Sequence, residues 1–268
     1  MPTIEIVAER AEAADGAAPI DEATLMALHA GDCEVIEHDG AFALVHGEEL
    51  TLVVDPPVRR HGLGTALLDE VMGSHPGINR AWSHGNHPAA ARLAARHGMH
   101  RVRDLWVMRR ELTSPLPVVK PPYGVELRGW QPGDADELLR VNAAAFAKHP
   151  EQGQMDAANL AARMAEPWFD PAGLIMAFET DGKLLGFHWT KQHSPELGEV
   201  YVVGVDPDAQ GRGLGRLLTL AGLAHLQERG AEEVLLYVEA DNQPAIATYA
   251  GLGFTHAAAD THVMYAKV

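Results

Sequence analysis

Glu199-Val-Tyr-Val-Val-Gly-Val-Asp-Pro-Asp-Ala-Gln-Gly-Arg-Gly-Leu-Gly-Arg-Leu-Leu-Thr219 reads as an apolar strand, a tight turn and a helix that opens on glycines. Val200, Val202, Val203 and Val205 favour an extended backbone, and Asp206-Pro207 ends it. Past Gln210-Gly-Arg-Gly-Leu-Gly215, the residues Leu214, Leu217, Leu218 and Ala221 recur at helical spacing. A helix N-terminus carries unpaired N–H groups and partial positive charge, and glycines let a phosphate approach the backbone. The turn therefore reads either as a seat for a pyrophosphate or as a helix start that needs only small residues. Its spacing is neither G-x-G-x-x-G nor a Walker loop ending in G-K-[ST].

The same pattern recurs in the first half. Val53-Val-Asp-Pro56 matches Gly204-Val-Asp-Pro207, and Arg59-Arg-His-Gly-Leu-Gly64 matches Gln210-Gly-Arg-Gly-Leu-Gly215. Asn86-His-Pro-Ala89 matches Asn242-Gln-Pro-Ala245, and His97-Gly-Met99 matches Leu252-Gly-Phe254. Each pair lies roughly 150 residues apart, the size of one small domain. Between the halves, Pro115, Pro117, Pro121 and Pro122 mark an extended linker. The sequence thus predicts domains at 1–114 and 125–268, joined by residues 115–124. An opening strand followed by helix is expected before Gly31, a hairpin across Asp39-Gly40, and a second hairpin across Asp181-Gly182. Strand, loop and helix then alternate in both halves, which predicts an α/β (α+β) fold.

Composition narrows the function. The formal net charge is -16, which argues against nucleic acid, because phosphate contacts need clusters of Lys and Arg. It suits an amine-bearing substrate and leaves room for an anionic cofactor held by backbone amides. A single cysteine, Cys33, rules out an intrachain disulfide and points to the cytoplasm. No apolar run reaches the length of a membrane span, and no signal peptide opens the chain. His84, His87, His97 and His100 fit no zinc spacing, so no metal is expected.

The Q-x-x-G-x-G pattern of Gln210 to Gly215 resembles the acyl-CoA-binding loop of the GNAT acetyltransferase superfamily. Further stretches of the second half are similar to the mycothiol synthases, a tandem-domain family within it. They are Leu138 to Gly153, Trp168-Phe-Asp-Pro171, Leu185-Gly-Phe-His-Trp-Thr-Lys191, Leu197-Gly-Glu-Val-Tyr201 and Leu235-Leu-Tyr-Val-Glu239. The resemblance is thinner in the first half, where it rests on Asp15 to Glu22, the Arg59 loop and Met108-Arg-Arg110. It implies two tandem GNAT-like domains, each a central mixed, mostly antiparallel sheet flanked by helices. It also implies an acyltransferase that moves the acetyl group of acetyl-CoA onto the cysteinyl amine of Cys-GlcN-Ins, a cysteine amide-linked to a glucosaminyl inositol. A monomer with this small-molecule partner, and no membrane or nucleic-acid partner, is expected. Transfer to another amine, such as a peptide N-terminus or an aminoglycoside, and acetyl-CoA binding without catalysis remain as alternatives.

Acetyl transfer needs a proton acceptor for the amine and a proton for the departing thiolate. Read alone, Glu199 is either such a base or a solvated carboxylate at a strand end, and Tyr249 is either an acid or a packed aromatic. The resemblance implies that Glu199 is the general base and Tyr249 the general acid. It places cofactor contacts at Val203, Gly204 and Val205, and along Gln210, Gly211, Arg212, Gly213, Leu214, Gly215 and Arg216. Asn242, Gln243, Pro244, Ala245, Ile246 and Ala247 complete that set, with Asn242 also a helix cap. Substrate contacts are implied at Glu22, Glu151, Lys191, Glu199 and Tyr237. The repeat carries a second cofactor set onto Leu52, Val53 and Val54 and onto Arg59, Arg60, His61, Gly62, Leu63 and Gly64. Glu49 stands near the place of Glu199, but Ala91-Arg-Leu-Ala-Ala-Arg96 supplies no aromatic for Tyr249. The first half is therefore expected to be non-catalytic.

Overall fold

The structure is a computed structural model that describes residues 3–118, 120–147 and 152–267. In chain order the first half runs α1 (Ile4–Asp15), α2 (Glu22–Ala30), β1 (Glu34–His38), β2 (Ala41–His46), β3 (Glu49–Val54), α3 (Leu63–Ser74), β4 (Arg80–Ser83), α4 (Pro88–Arg96) and β5 (His100–Glu111). The second runs β6 (Val125–Gly129), α5 (Ala135–Ala145), α6 (Ala157–Met164), β7 (Leu174–Glu179), β8 (Leu184–Gln192), β9 (Leu197–Val205), α7 (Leu214–Glu228), β10 (Glu233–Glu239), α8 (Gln243–Ala250) and β11 (Thr255–Ala266).

The chain forms two compact units. The first comprises Met1–Val107, Glu239–Asp241 and His256–Val268, and the second Met108–Val238 and Asn242–Thr255. This division differs from a cut in the Pro-rich stretch: β5 is divided after Val107, and β11 from His256 onward belongs with the first unit. In the first unit β1, β2 and β3 form an antiparallel meander, β3 runs parallel to β4, and β11 pairs antiparallel with β4. In the second unit β6, β7, β8 and β9 are antiparallel, and β9 runs parallel to β10.

The two parallel junctions share a feature that positions the site. The β9–β10 ladder runs from Leu197↔Glu233 to Val200↔Leu236, although β9 continues to Val205 and β10 to Glu239. The β3–β4 ladder covers Glu49↔Arg80 and Leu50↔Ala81, while β3 continues to Val54. Past these pairs the strands part, and each opening faces the glycine loop and helix that follow.

The strand expected at the N-terminus is a helix. Val7 and Ala11 are buried, one helical turn apart, and Ile4 and Ala8 pack beside them against Phe42, Leu44 and Val53. The i, i+3, i+4, i+7 face of Ile4, Val7, Ala8 and Ala11 has a sheet to cover, and the helix wins. Its hinge to the loop is Arg10, whose guanidinium sits 2.9 Å from the buried carboxylate of Asp55. The second unit repeats the device with Arg140 of α5, 2.7 Å from Asp206. Each Asp-Pro turn is thus clamped by the first helix of its own unit.

Candidate active site

β9 carries the candidate base and a kink. Its register against β8 passes from Trp189↔Val202 to Thr190↔Val200, so Tyr201 is an inserted residue. Such a bulge bends the strand and re-aims its side chains. Two residues before it, Glu199 is only 5% exposed. A carboxylate that deep needs a partner, and it has one. Nε2 of His193 lies 2.6 Å from Oε2 of Glu199. His193 is placed by its own backbone N–H, which donates to the carbonyl of Leu197 at 2.9 Å. After the bulge, Val203 and Val205 are half-buried, and Gly204 is buried. A side chain at Gly204 would meet the Phe187 ring at 2.7 Å, so packing alone demands glycine there.

The loop after β9 is a cradle. Gly211 and Gly213 adopt left-handed φ values of 78° and 76°, which other residues reach only at a cost. Gly213 caps α7, and Leu214 anchors the first turn in the core at 2% exposure. Gln210, Arg212 and Arg216 are exposed at the rim, with Arg212 held 3.1 Å from Glu179 and Arg216 on the carbonyl of Gly251. Gly215 is the informative position. Its φ is not left-handed, yet a methyl group there would meet no atom within 4 Å. Neither backbone conformation nor packing asks for glycine, which leaves the approach of a ligand to the free amides of the helix. The cradle thus fits the pyrophosphate of acetyl-CoA.

α8 supplies the candidate acid. The side-chain oxygen of Asn242 accepts from the N–H of Ala245 at 3.3 Å, and Pro244 sits in the first turn. Asn242, Gln243, Pro244 and Ala247 are exposed, while Ala245 and Ile246 are half-buried. Tyr249 lies two turns on, edge-on to Phe254 at 5.9 Å. Desolvation pushes its phenol up to about 12, so it stays protonated at neutral pH. Among the described residues its hydroxyl has no hydrogen-bond partner, and it is free to donate to a ligand.

Lys191 stands opposite Glu199 across the β8–β9 ladder. Its ammonium lies 4.7 Å from the ring of Trp168 and 5.3 Å from that of Tyr201, in a cation–π wall. Lys191 and Glu199 are therefore brought together. Tyr237 is on β10, 42% exposed. Glu22 is half-buried in the first turn of α2, in the first unit. Glu151 lies outside the described residues. Neither His193 as partner of Glu199 nor the Trp168–Tyr201 wall was legible in the sequence; a His-x5-Glu spacing means nothing until a turn folds it back.

The first unit holds the equivalent loop in a different state. Arg60 takes the left-handed place of Gly211 at φ 68°, and Gly62 that of Gly213 at φ 86°. The backbone path is kept, and the non-glycine residue there carries strain of about 1 kcal/mol. Arg59 is paired with Asp15 through bonds of 2.7 and 2.8 Å, and its Nε donates to the carbonyl of Val54. His61 is exposed, and Leu63 packs on the core with Leu52 and Val54, while Val53 is buried on the other face. A methyl group on Gly64 would meet Val54 at 3.2 Å and Leu52 and Leu93 at 3.8 Å. Glu49 faces Arg80 at 3.4 Å.

A bulged strand, an open glycine cradle and a splayed parallel pair together suit acyl-CoA binding, and comparison with known proteins agrees. The sequence profile described as the acetyltransferase (GNAT) family matches residues 30–99 and 137–254. A mycothiol acetyltransferase of Nocardioides sp. is 59% identical, over 97% of this chain and 95% of its own. The chain belongs to the mycothiol acetyltransferase branch of the GNAT family. A mycothiol acetyltransferase of Catenulispora acidiphila is 48% identical over 98% of this chain and 94% of its own. Among solved structures, a GCN5-related N-acetyltransferase from Sphaerobacter thermophilus has a TM-score of 0.73 at 24% identity, covering 97% of this chain and 89% of its own. A tandem GNAT protein from the clavulanic acid pathway has a TM-score of 0.61 at 21% identity, covering 84% and 77%. Both share the fold. The chain is an acyltransferase built on two GNAT-like domains, with a small-molecule amine as acceptor. Among the described residues, no group of three or more His, Cys, Asp or Glu side chains is placed to hold a metal. No helix among them is long and apolar enough to cross a membrane.

Proposed function

We propose that the chain acetylates the cysteinyl amine of Cys-GlcN-Ins with acetyl-CoA, as a cytoplasmic monomer, and that the second sequence domain, 125–268, alone does the chemistry. The observation that carries this reading is the pairing of a buried carboxylate on a bulged strand with an open glycine cradle, in a chain 59% identical to a mycothiol acetyltransferase.

Acetyl-CoA supplies the acetyl thioester. The amides of Gly211, Gly213 and Gly215 hold its pyrophosphate, with Gln210, Arg212 and Arg216 at the rim, and Val203 to Val205 and Asn242 to Ala247 flank the arm. An α-amine is largely protonated at neutral pH. Glu199 takes that proton and leaves a neutral nucleophile. The Tyr249 hydroxyl gives its proton to the departing sulfur. Lys191, fixed over Trp168 and Tyr201, and Tyr237 orient the acceptor. In the first domain, 1–114, residues 52–54 and 59–64 form a second cofactor seat of unchanged path but altered lining.

The test is release of free CoA thiol with Cys-GlcN-Ins, glucosaminyl inositol and free cysteine as competing acceptors. Cys-GlcN-Ins should be turned over far faster than either fragment. Faster turnover of a peptide N-terminus or an aminoglycoside would assign a different amine, and acetyl-CoA binding without turnover of any amine would leave a binding protein.

A further inference from the structure

Glu199 faces a problem that its burial creates. Each turnover would leave a proton on its carboxyl, and that proton must depart before the next amine arrives. At 5% exposure, Glu199 has little direct contact with bulk water. His193 offers a way out. His193 Nε2 is 2.6 Å from Glu199 Oε2, and while the Glu199 side chain is 6% exposed, that of His193 is 34% exposed. The imidazole therefore spans the distance from the buried carboxylate to solvent. It sits in the turn between β8 and β9, held by the backbone bond to Leu197 and followed by Ser194, whose hydroxyl accepts from the N–H groups of Glu196 and Leu197. The turn is thus fixed, and the ring at its edge is partly open to water.

We propose that His193 is the proton outlet of Glu199. The inference rests on the reading of Glu199 as the base. At rest the Nε2 hydrogen of His193 donates to the Glu199 carboxylate; once Glu199 is protonated, the neutral ring in its other tautomer, with its hydrogen on Nδ1 after exchange with water, accepts the carboxyl proton at Nε2. The O–H bond of Glu199 breaks and the N–H bond of His193 forms. The imidazolium then releases that proton to water as the ring turns outward, which returns Glu199 as carboxylate and His193 as neutral imidazole. Imidazole suits this task because it changes protonation state near neutral pH. His193 acts through Glu199 and is a positioning and relay residue rather than one that touches substrate.

Three variants decide the matter, each checked for a native thermal transition. His193→Ala should lower kcat on the order of 10-fold, a fraction of a full acid–base contribution, with KM for both substrates within about twofold. Free imidazole in the assay should restore most of that rate. His193→Gln keeps an N–H to donate to Glu199 but cannot carry a proton, so it should remain as slow as His193→Ala. Wild-type kcat in either His193 variant, or a slow His193→Ala that imidazole does not rescue, overturns the outlet. Glu199→Gln separates the two claims. If it is inactive while His193→Ala runs at full rate, the outlet alone is wrong. If Glu199→Gln runs at the wild-type rate, the base assignment fails and the outlet with it.

Discussion

The loop after β3 and the loop after β9 have nearly the same backbone and opposite surroundings. Both follow an Asp-Pro turn clamped by an arginine, both place two residues in the left-handed region, and both open a helix. Around Gly215 there is empty space, whereas Gly64 is closed in by Val54, Leu52 and Leu93. Leu93 lies on α4, in the place where α8 carries Tyr249, so the residue that replaces the acid also narrows the cradle. Arg59 is occupied by Asp15, but Gln210 at the second loop stands exposed. Asn242 caps its helix; the equivalent Asn86 does not, and the side chain of His87 at the cap bonds to the carbonyl of His84 rather than to the helix. A duplicated fold has kept its chain path in both copies and its open surface in one. Path is set by turns and core, which both copies need to fold; the surface answers to the ligand.

The largest test of that contrast is Gly215→Asp. The helix start tolerates the side chain, but a carboxylate then meets the pyrophosphate. Like charges in contact cost several kcal/mol, so acetyl-CoA affinity of the second domain should fall on the order of 100-fold or more by calorimetric titration, with the thermal transition nearly unchanged. Wild-type affinity would remove the cradle from the cofactor site. Next is Tyr249→Phe, which keeps the ring and its contact with Phe254 while removing the proton. CoA thiolate is a tolerable leaving group, so the loss in kcat should be about 10-fold, and it should not be relieved at high pH. Because desolvation holds this phenol up at about 12, the wild-type rate should show no loss from its ionisation up to about pH 10. A wild-type alkaline fall near pH 8 that Tyr249→Phe abolishes would contradict that.

The smallest effect concerns the clamp rather than the chemistry. Arg140, through its side-chain bond, holds the Asp206 carboxyl below the ordinary aspartate range. A depressed carboxylate contributes stability that is present above its unfolded value and lost as pH falls through its folded value. Arg140→Met should therefore cost about 2 kcal/mol at pH 7 by denaturant unfolding, the scale of a hydrogen-bonded charge, and less below about pH 4. An equal loss at pH 7 and pH 3 would mean that packing, not the ion pair, is what Arg140 provides.

Much of this was legible in the sequence because it is local. A run of β-branched residues, Asp-Pro, spaced glycines and leucines at helical intervals specify strand, turn and helix within some twenty positions, and the repeat doubled the signal. The helix α1, where a strand was expected, was not legible, because its apolar face is decided by Phe42, Leu44 and Val53 of β2 and β3, which it covers. His193 was not legible, since its partnership depends on a turn between β8 and β9 whose geometry no spacing rule contains. Nor was the bulge at Tyr201, which is a matter of register against a neighbouring strand. The division of β5 after Val107 and the return of β11 to the first unit likewise depend on long-range contacts, while the chain order alone suggested a cut at the prolines.

Either Glu199 or its first-domain counterpart Glu49 serves the amine. Steady-state thiol release with acetyl-CoA and Cys-GlcN-Ins, measured for Glu199→Gln and Glu49→Gln from about pH 6 to pH 9, compares them in one experiment. General-base loss predicts a kcat for Glu199→Gln lower on the order of 10²-fold. That deficit should shrink as pH rises and more amine is neutral in solution, while Glu49→Gln stays close to wild type throughout. An inactive Glu49→Gln beside an active Glu199→Gln would put the chemistry in the other half of the chain.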